Sequence, residues 1–118
     1  MIPQSIIGDK SLAFAKRIAK CYVFLKDKKK ETVMSKQLLR SGTSIGANVR
    51  EGQYAQSKKD FISKMSIALK EARETDYWLD VLYSVKYLNE EEYNSLNTDN
   101  DELLRLLASI VKTSKEKD

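Results

Sequence analysis

Few residues of this chain have the type and spacing for chemistry, and most of those are charged. Glu71, Glu74 and Asp76 lie within two helical turns, with Glu51 further back. Clustered carboxylates of this kind can hold a divalent metal for phosphodiester cleavage. There is no histidine in the 118 residues, which removes Ser–His and Cys–His nucleophilic catalysis and most zinc and iron sites. A di-iron bundle needs Glu-x-x-His on two helices and cannot be completed here. The single cysteine, Cys21, builds no thiolate cluster; beside Ala19, Tyr22 and Val23 it reads as a small, half-buried residue. No Gly-Lys-Ser/Thr element cradles a phosphate. An EF-hand at Asp99 fails, because Leu104 stands where the loop requires glycine and Ile110 where it requires the bidentate glutamate. The expectation is that Glu71 and Glu74 pair with Arg or Lys across a helical bundle, and that the protein is not an enzyme and holds neither metal nor cofactor.

The cations make the more promising constellation. Lys36, Arg40 and Arg50 share one face of a helical segment, with the small residues Thr43 and Ala47 between them and Tyr54 at its end. Small neighbours let a phosphate backbone approach closely. The net charge of +4 divides unevenly: residues 1–59 hold thirteen Lys/Arg against four Asp/Glu, and residues 60–118 hold eight against thirteen. Such polarity suits an anionic partner, RNA or DNA, bound without base readout; no zinc finger, RRM aromatic motif or recognition helix is present. It also suits the competing reading of a protein–protein scaffold whose basic half meets an acidic partner and which binds no nucleic acid.

These side chains need elements to position them. One proline and four glycines leave little turn chemistry for a β fold, while Lys, Glu, Leu, Ala and Arg favour helix. The apolar spacing predicts an all-α, antiparallel up-down four-helix bundle, one domain over 1–118, with helices near 10–26, 32–54, 58–88 and 90–113. Asp9 is the candidate cap of the first helix, which carries Phe14, Ile18, Tyr22 and Leu25 on one stripe. Asp27–Glu31 reads as a solvated connection. In the second helix Leu38, Gly42, Ile45, Val49 and Gly52 share a face, and glycines there point to close approach by a neighbouring helix. Ser57 opens the third helix, whose main stripe is Phe61, Met65, Ala68, Ala72, Thr75, Leu79 and Leu82. A second stripe, Ile67, Trp78, Val81, Val85 and Leu88, lies on another face; Trp78, Val81 and Val85 are the candidate oligomer interface. Asn89 and Glu92 form a capping box for the last helix, where Tyr93, Leu96, Leu104, Leu107 and Val111 face inward. Asn97–Asp101 predicts a kink or restart in that helix, and the tail should fray from Ser114. Met1–Gln4 lacks the basic and apolar segments of a signal peptide, and no apolar run approaches the roughly 20 residues of a membrane span. A cytoplasmic protein is expected.

Three segments carry a resemblance: Ser-Ile-Gly-Ala-Asn-Val-Arg-Glu-Gly over 44–52, Ser-Lys-Lys-Asp-Phe over 57–61, and IALKEARETDYWL over 67–79. Together they resemble the bacterial four-helix bundle family of 23S rRNA-intervening-sequence proteins, a likeness that covers nearly the whole chain. Asn48, Glu51 and Gly52 match that family's Asn-x-x-Glu-Gly motif, and a structural tie between helices or subunits is the role expected of them, with ligand binding as the alternative. The residues after the motif, Gln53 and Tyr54, depart from the usual small and basic ones. The resemblance implies an antiparallel bundle that assembles as a ring-forming homo-oligomer, with a pentamer expected. It also implies a partner in relatives that act as accessory factors of diversity-generating retroelements, where a basic surface engages nucleic acid and a reverse transcriptase. The family's own biochemical role is poorly defined.

Overall fold

The computed structural model describes residues 6–116, which form four helices: α1 (Ile6–Lys29), α2 (Val33–Gln53), α3 (Lys58–Ser84) and α4 (Glu90–Glu116). The Met1–Gln4 reading lies outside the described residues. The helices run up and down in chain order, as their cross-contacts show. Arg40 meets Glu71 and Glu74 while Gly52 meets Met65, so numbers rise along α2 as they fall along α3. Each helix packs on its chain neighbours, and α1 with α4 closes the bundle through the thinnest of the four seams. The rod measures 47 × 20 × 19 Å.

The core follows the helical stripes. Phe14, Ile18 and Leu25 from α1, Leu38, Ile45 and Val49 from α2, and Met65, Leu79 and Leu82 from α3 are buried with Leu96 and Leu107 of α4. Ile7, Leu69 and Leu103 join them without having stood out in the sequence. Burying side chains of this size stabilises by about 1.5–3 kcal/mol each before conformational entropy is counted.

The helix ends depart from expectation, each for a local reason. α1 begins at Ile6 rather than near residue 10, because Ile7 has core to bury; Asp9 sits within the first turn, where a carboxylate favours the helix dipole. It also runs on to Lys29, its last turn carrying the lysines that complement the carboxyl-end dipole. Lys30 then takes the left-handed conformation (φ 56°), and the Glu31 amide reaches back to the Leu25 carbonyl at 3.0 Å. That closes a Schellman-type end in which lysine stands where glycine is usual. Lys86 (φ 72°) plays the same part after α3, ending it at Ser84 and not at 88; the amides of Tyr87 and Leu88 both donate to the Leu82 carbonyl, and Leu88 turns into the core.

Glu31 is the larger correction, since it is buried rather than solvated. Its carboxylate accepts from the amides of Val33, Met34 and Ser35 at 2.8–2.9 Å, satisfying the first donors of α2 that Thr32 leaves without a side-chain cap. Ser57 and the Asn89–Glu92 box behave as expected: Ser57 Oγ accepts from the Asp60 amide, and Asn89 and Glu92 exchange bonds at 2.7 and 2.8 Å. α4 passes through Asn97–Asp101 without a break and continues past Ser114 to Glu116. Three members of the polar run have partners that hold them in the helix. Asp99 pairs with Arg17 of α1, Asp101 with Arg105 one turn on, and Asn100 is fully buried, its amide donating to the Ala72 carbonyl of α3.

Candidate nucleic-acid interface

The partners of the carboxylates decide what they can do. Arg40 of α2 reaches across to α3, donating to Glu74 at 2.5 Å and to Glu71 at 3.3 and 3.4 Å. Trp78 Nε1 donates to the same Glu74 carboxylate at 3.1 Å. The Arg40 hydrogen bond, with help from Trp78, holds Glu74 below the ordinary carboxylate range against the opposing effect of burial. Beneath this surface network the Thr75 hydroxyl donates to Ser41 Oγ at 3.0 Å in the core. Glu71 and Glu74 therefore join α2 to α3, as expected from their edge position. Glu51 is largely exposed and sits 3.5 Å from Lys64. Among the described residues no group of three His, Cys, Asp or Glu is placed to hold a metal ion.

Cys21 is half-buried on α1 beside Arg17 and Glu92. Burial first, and then the Glu92 charge, push its thiol up to about 11, with Arg17 opposing. It is a protonated packing residue at neutral pH.

The cations of α2 do not act as one cluster. Lys36 and Arg50 are separated by roughly 21 Å of helix at the standard rise, and Arg40 between them is committed to α3. Lys36 and Arg50 are exposed, and neither makes an ion pair among the described residues. Arg50 lines a groove of about 600 Å³ between α1 and α2, with Gly8, Leu12, Thr43 and Gly46 along its floor.

The Asn-x-x-Glu-Gly residues divide between roles. Asn48 donates to the Ser44 carbonyl of its own helix at 2.9 Å and reaches no other element through that bond. Glu51 is exposed and meets Lys64 of α3 at 3.5 Å. Gly52 is buried, and a Cβ there would lie 2.6 Å from Met65 Cε. Gly42 and Gly46 are close-approach positions too: a Cβ would meet Ile18 Cγ1 and Cγ2 at 2.8 Å in one case and the Ser11 carbonyl oxygen at 3.1 Å in the other.

The second stripe of α3 is split. Leu88 belongs to the core, Trp78 is half-buried against it, and Val81 is half-buried, while Ile67 and Val85 expose 38% and 52% of their surface.

A cation cluster that linear reading did not assemble lies at the opposite end of the rod from Lys36. Lys58 and Lys59 open α3 and Lys115 closes α4, and the antiparallel fold brings them around one cavity of about 540 Å³ with Ser57 and Ile62. Its signal in the sequence was only the Lys-Lys pair after the Ser57 cap. The partner lysine is more than fifty residues away. The cavity adjoins a larger one, of about 820 Å³, through the shared residues Ser57 and Lys58.

None of the curated proteins matches this chain. A crystal structure from Bacteroides thetaiotaomicron, of a protein of unknown function from the S23 ribosomal protein family, is similar: 57% identity and a TM-score of 0.89, covering 91% of this chain and 99% of that one. Residues 4–109 match the family described as 23S rRNA-intervening sequence protein. With that match spanning most of its length and the bundle agreeing, the chain belongs to the 23S rRNA-intervening sequence protein family.

Proposed function

We propose that this protein is a non-enzymatic, homo-oligomeric adaptor that binds RNA or DNA through exposed cations without base-specific readout. The observation that carries the reading is the unequal use of charge. Glu71, Glu74 and Glu51 are in ion pairs, whereas Lys36 and Arg50 stand exposed and make no ion pair among the described residues, Arg50 sharing its groove with Asp9 and Glu51. Arg40 engages Glu71 and Glu74 in joining α2 to α3, which supports a structural role for these two carboxylates over a catalytic one. Assembly would repeat each cation around the oligomer, and multivalency turns weak phosphate contacts into useful affinity. In a retroelement setting a reverse transcriptase would be a second partner.

The test is binding to labelled mixed-sequence RNA and DNA at about 50 mM salt, repeated as salt rises. The wild type should bind and weaken steeply, and Lys36→Glu/Arg50→Glu should lose most of the affinity. The scaffold reading draws on the exposed Tyr77, Val85 and Ile67 along α3. Absence of nucleic-acid binding at that salt would favour it.

A further inference from the structure

The cavity of about 820 Å³ at the junction of α2 and α3 has features that the adaptor reading does not use. It is lined by the α2–α3 connection on one side and by the last two turns of α4 on the other. Tyr54 stands at it with 81% of its surface exposed, and no core contact explains an aromatic ring there. Phe61 and Ile110 give the cavity an apolar side, while Gln56, Ser109 and Thr113 add amide and hydroxyl groups able both to donate and to accept. The volume falls in the range of ligand-sized sites, about 300–1,000 Å³. Through Ser57 and Lys58 the cavity runs into the lysine-lined one beside it; among the described residues the two linings include Lys59 and Lys115 and no Asp or Glu, and Asp60 next to them accepts from the Gln56 amide at 3.4 Å.

We infer that this end of the bundle is a subsite for single-stranded nucleic acid, in which an unpaired base stacks on Tyr54 and the adjoining phosphates lie along Lys59 and Lys115. The inference rests on the nucleic-acid reading above and adds the form of the ligand. A base has a π-face whatever its identity, so an exposed ring flanked by cations takes single strands without sequence preference. Duplex bases are already stacked on one another and offer Tyr54 no face. Amides and hydroxyls that both donate and accept can satisfy any base edge, which keeps the site tolerant. An acidic peptide would match the lysines but gives no reason for an exposed ring beside an apolar wall.

Fluorescence anisotropy with a labelled 20-nucleotide oligo(dT) and a mixed-sequence duplex, each with the wild-type protein at about 50 mM salt, tests the inference. Tyr54→Ala should weaken the single strand by about 5- to 150-fold, the span of one stacking contact, and leave the duplex unchanged. Tyr54→Phe should retain single-strand binding. Lys59→Glu/Lys115→Glu should weaken both ligands. Circular dichroism checks that each variant keeps its helices. Equal single-strand affinity for the wild type and Tyr54→Ala would overturn the subsite while leaving the adaptor reading in place. So would equal losses on both ligands, a loss in Tyr54→Phe as large as in Tyr54→Ala, or poly-glutamate binding with the same dependence on Tyr54. Absence of binding to either oligonucleotide would overturn both readings.

Discussion

At the scale of single residues, the side chains with consequences are those that carry more than one bond. Glu31 caps α2 with three amide contacts from a buried position, and Ser35 Oγ returns a bond to the Glu31 carbonyl at 2.8 Å. Glu31→Ala should lower the unfolding free energy by about 1–2 kcal/mol in urea titration, the upper range for losing a helix cap. Its pH behaviour follows from the same contacts. Burial alone would raise the Glu31 carboxyl, but the amides of Met34, Ser35 and Val33 outweigh it and hold the group below the ordinary range. A depressed folded value means the unfolded state takes up the proton first. The stabilisation is full above the ordinary glutamate value and is lost as pH falls through the folded one. Glu74, lowered by Arg40, adds in the same direction. Urea midpoints should therefore fall below about pH 4.5, and Glu31→Gln should flatten part of that decline.

Among the elements, small residues and left-handed lysines set how closely the helices sit. Gly42 and Gly52 make opposite cases despite similar contact distances. A methyl at Gly42 meets Ile18 at two γ-carbons fixed in the core, whereas at Gly52 its closest contact is the flexible end of Met65, with Lys64 Cβ next at 3.3 Å. Alanine gains about 1 kcal/mol of helix propensity at either site, and overpacking costs about 1–3 kcal/mol where the neighbour cannot yield. Gly42→Ala should thus be destabilising and Gly52→Ala neutral or stabilising, read as thermal midpoints of the two variants side by side. Lys30 and Lys86 carry the left-handed turns that end α1 and α3. That conformation costs a non-glycine residue about 1–2 kcal/mol, offset in part by glycine's greater freedom in the unfolded chain. Lys86→Gly should raise the unfolding free energy by up to about 1 kcal/mol; a lower value would mean the Lys86 side chain supports the turn.

For the whole molecule, the proposed assembly is the reading with the widest reach. Val85 and Tyr77 leave apolar surface on the outer side of α3, with Val81 half-buried beside Trp78. An interface there would bury them and place several copies of Lys36, Arg50 and the Lys58–Lys59–Lys115 cluster on one particle. Light scattering at micromolar concentration should return a multiple of the 13.5 kDa chain mass, with five copies expected. Val85→Glu should shift the mass toward one copy while leaving the helical signal intact, because Val85 lies outside the core.

Helix number, order and most inward faces were legible in the sequence, because a 3.6-residue period and the caps at Ser57 and Asn89 are local properties. The pairing of Glu71 and Glu74 with a cation across the bundle was legible as a class of contact, since edge carboxylates on antiparallel helices meet whatever lies opposite. Only the tertiary structure decided that the cation is Arg40, which is still exposed but, unlike Lys36 and Arg50, is tied to α3 by ion pairs. Glu31 looked solvated because charge predicts exposure, yet three unpaired amides drew it inward. Asn100 looked like a breaker because asparagine favours turns, yet the Ala72 carbonyl stood within reach of its amide. Lys115 joins Lys58 and Lys59 only because α4 runs antiparallel to α3. Spacing along a chain sets which side chains share a helix face; which charges meet is set by the face that packs opposite, and that depends on the whole bundle.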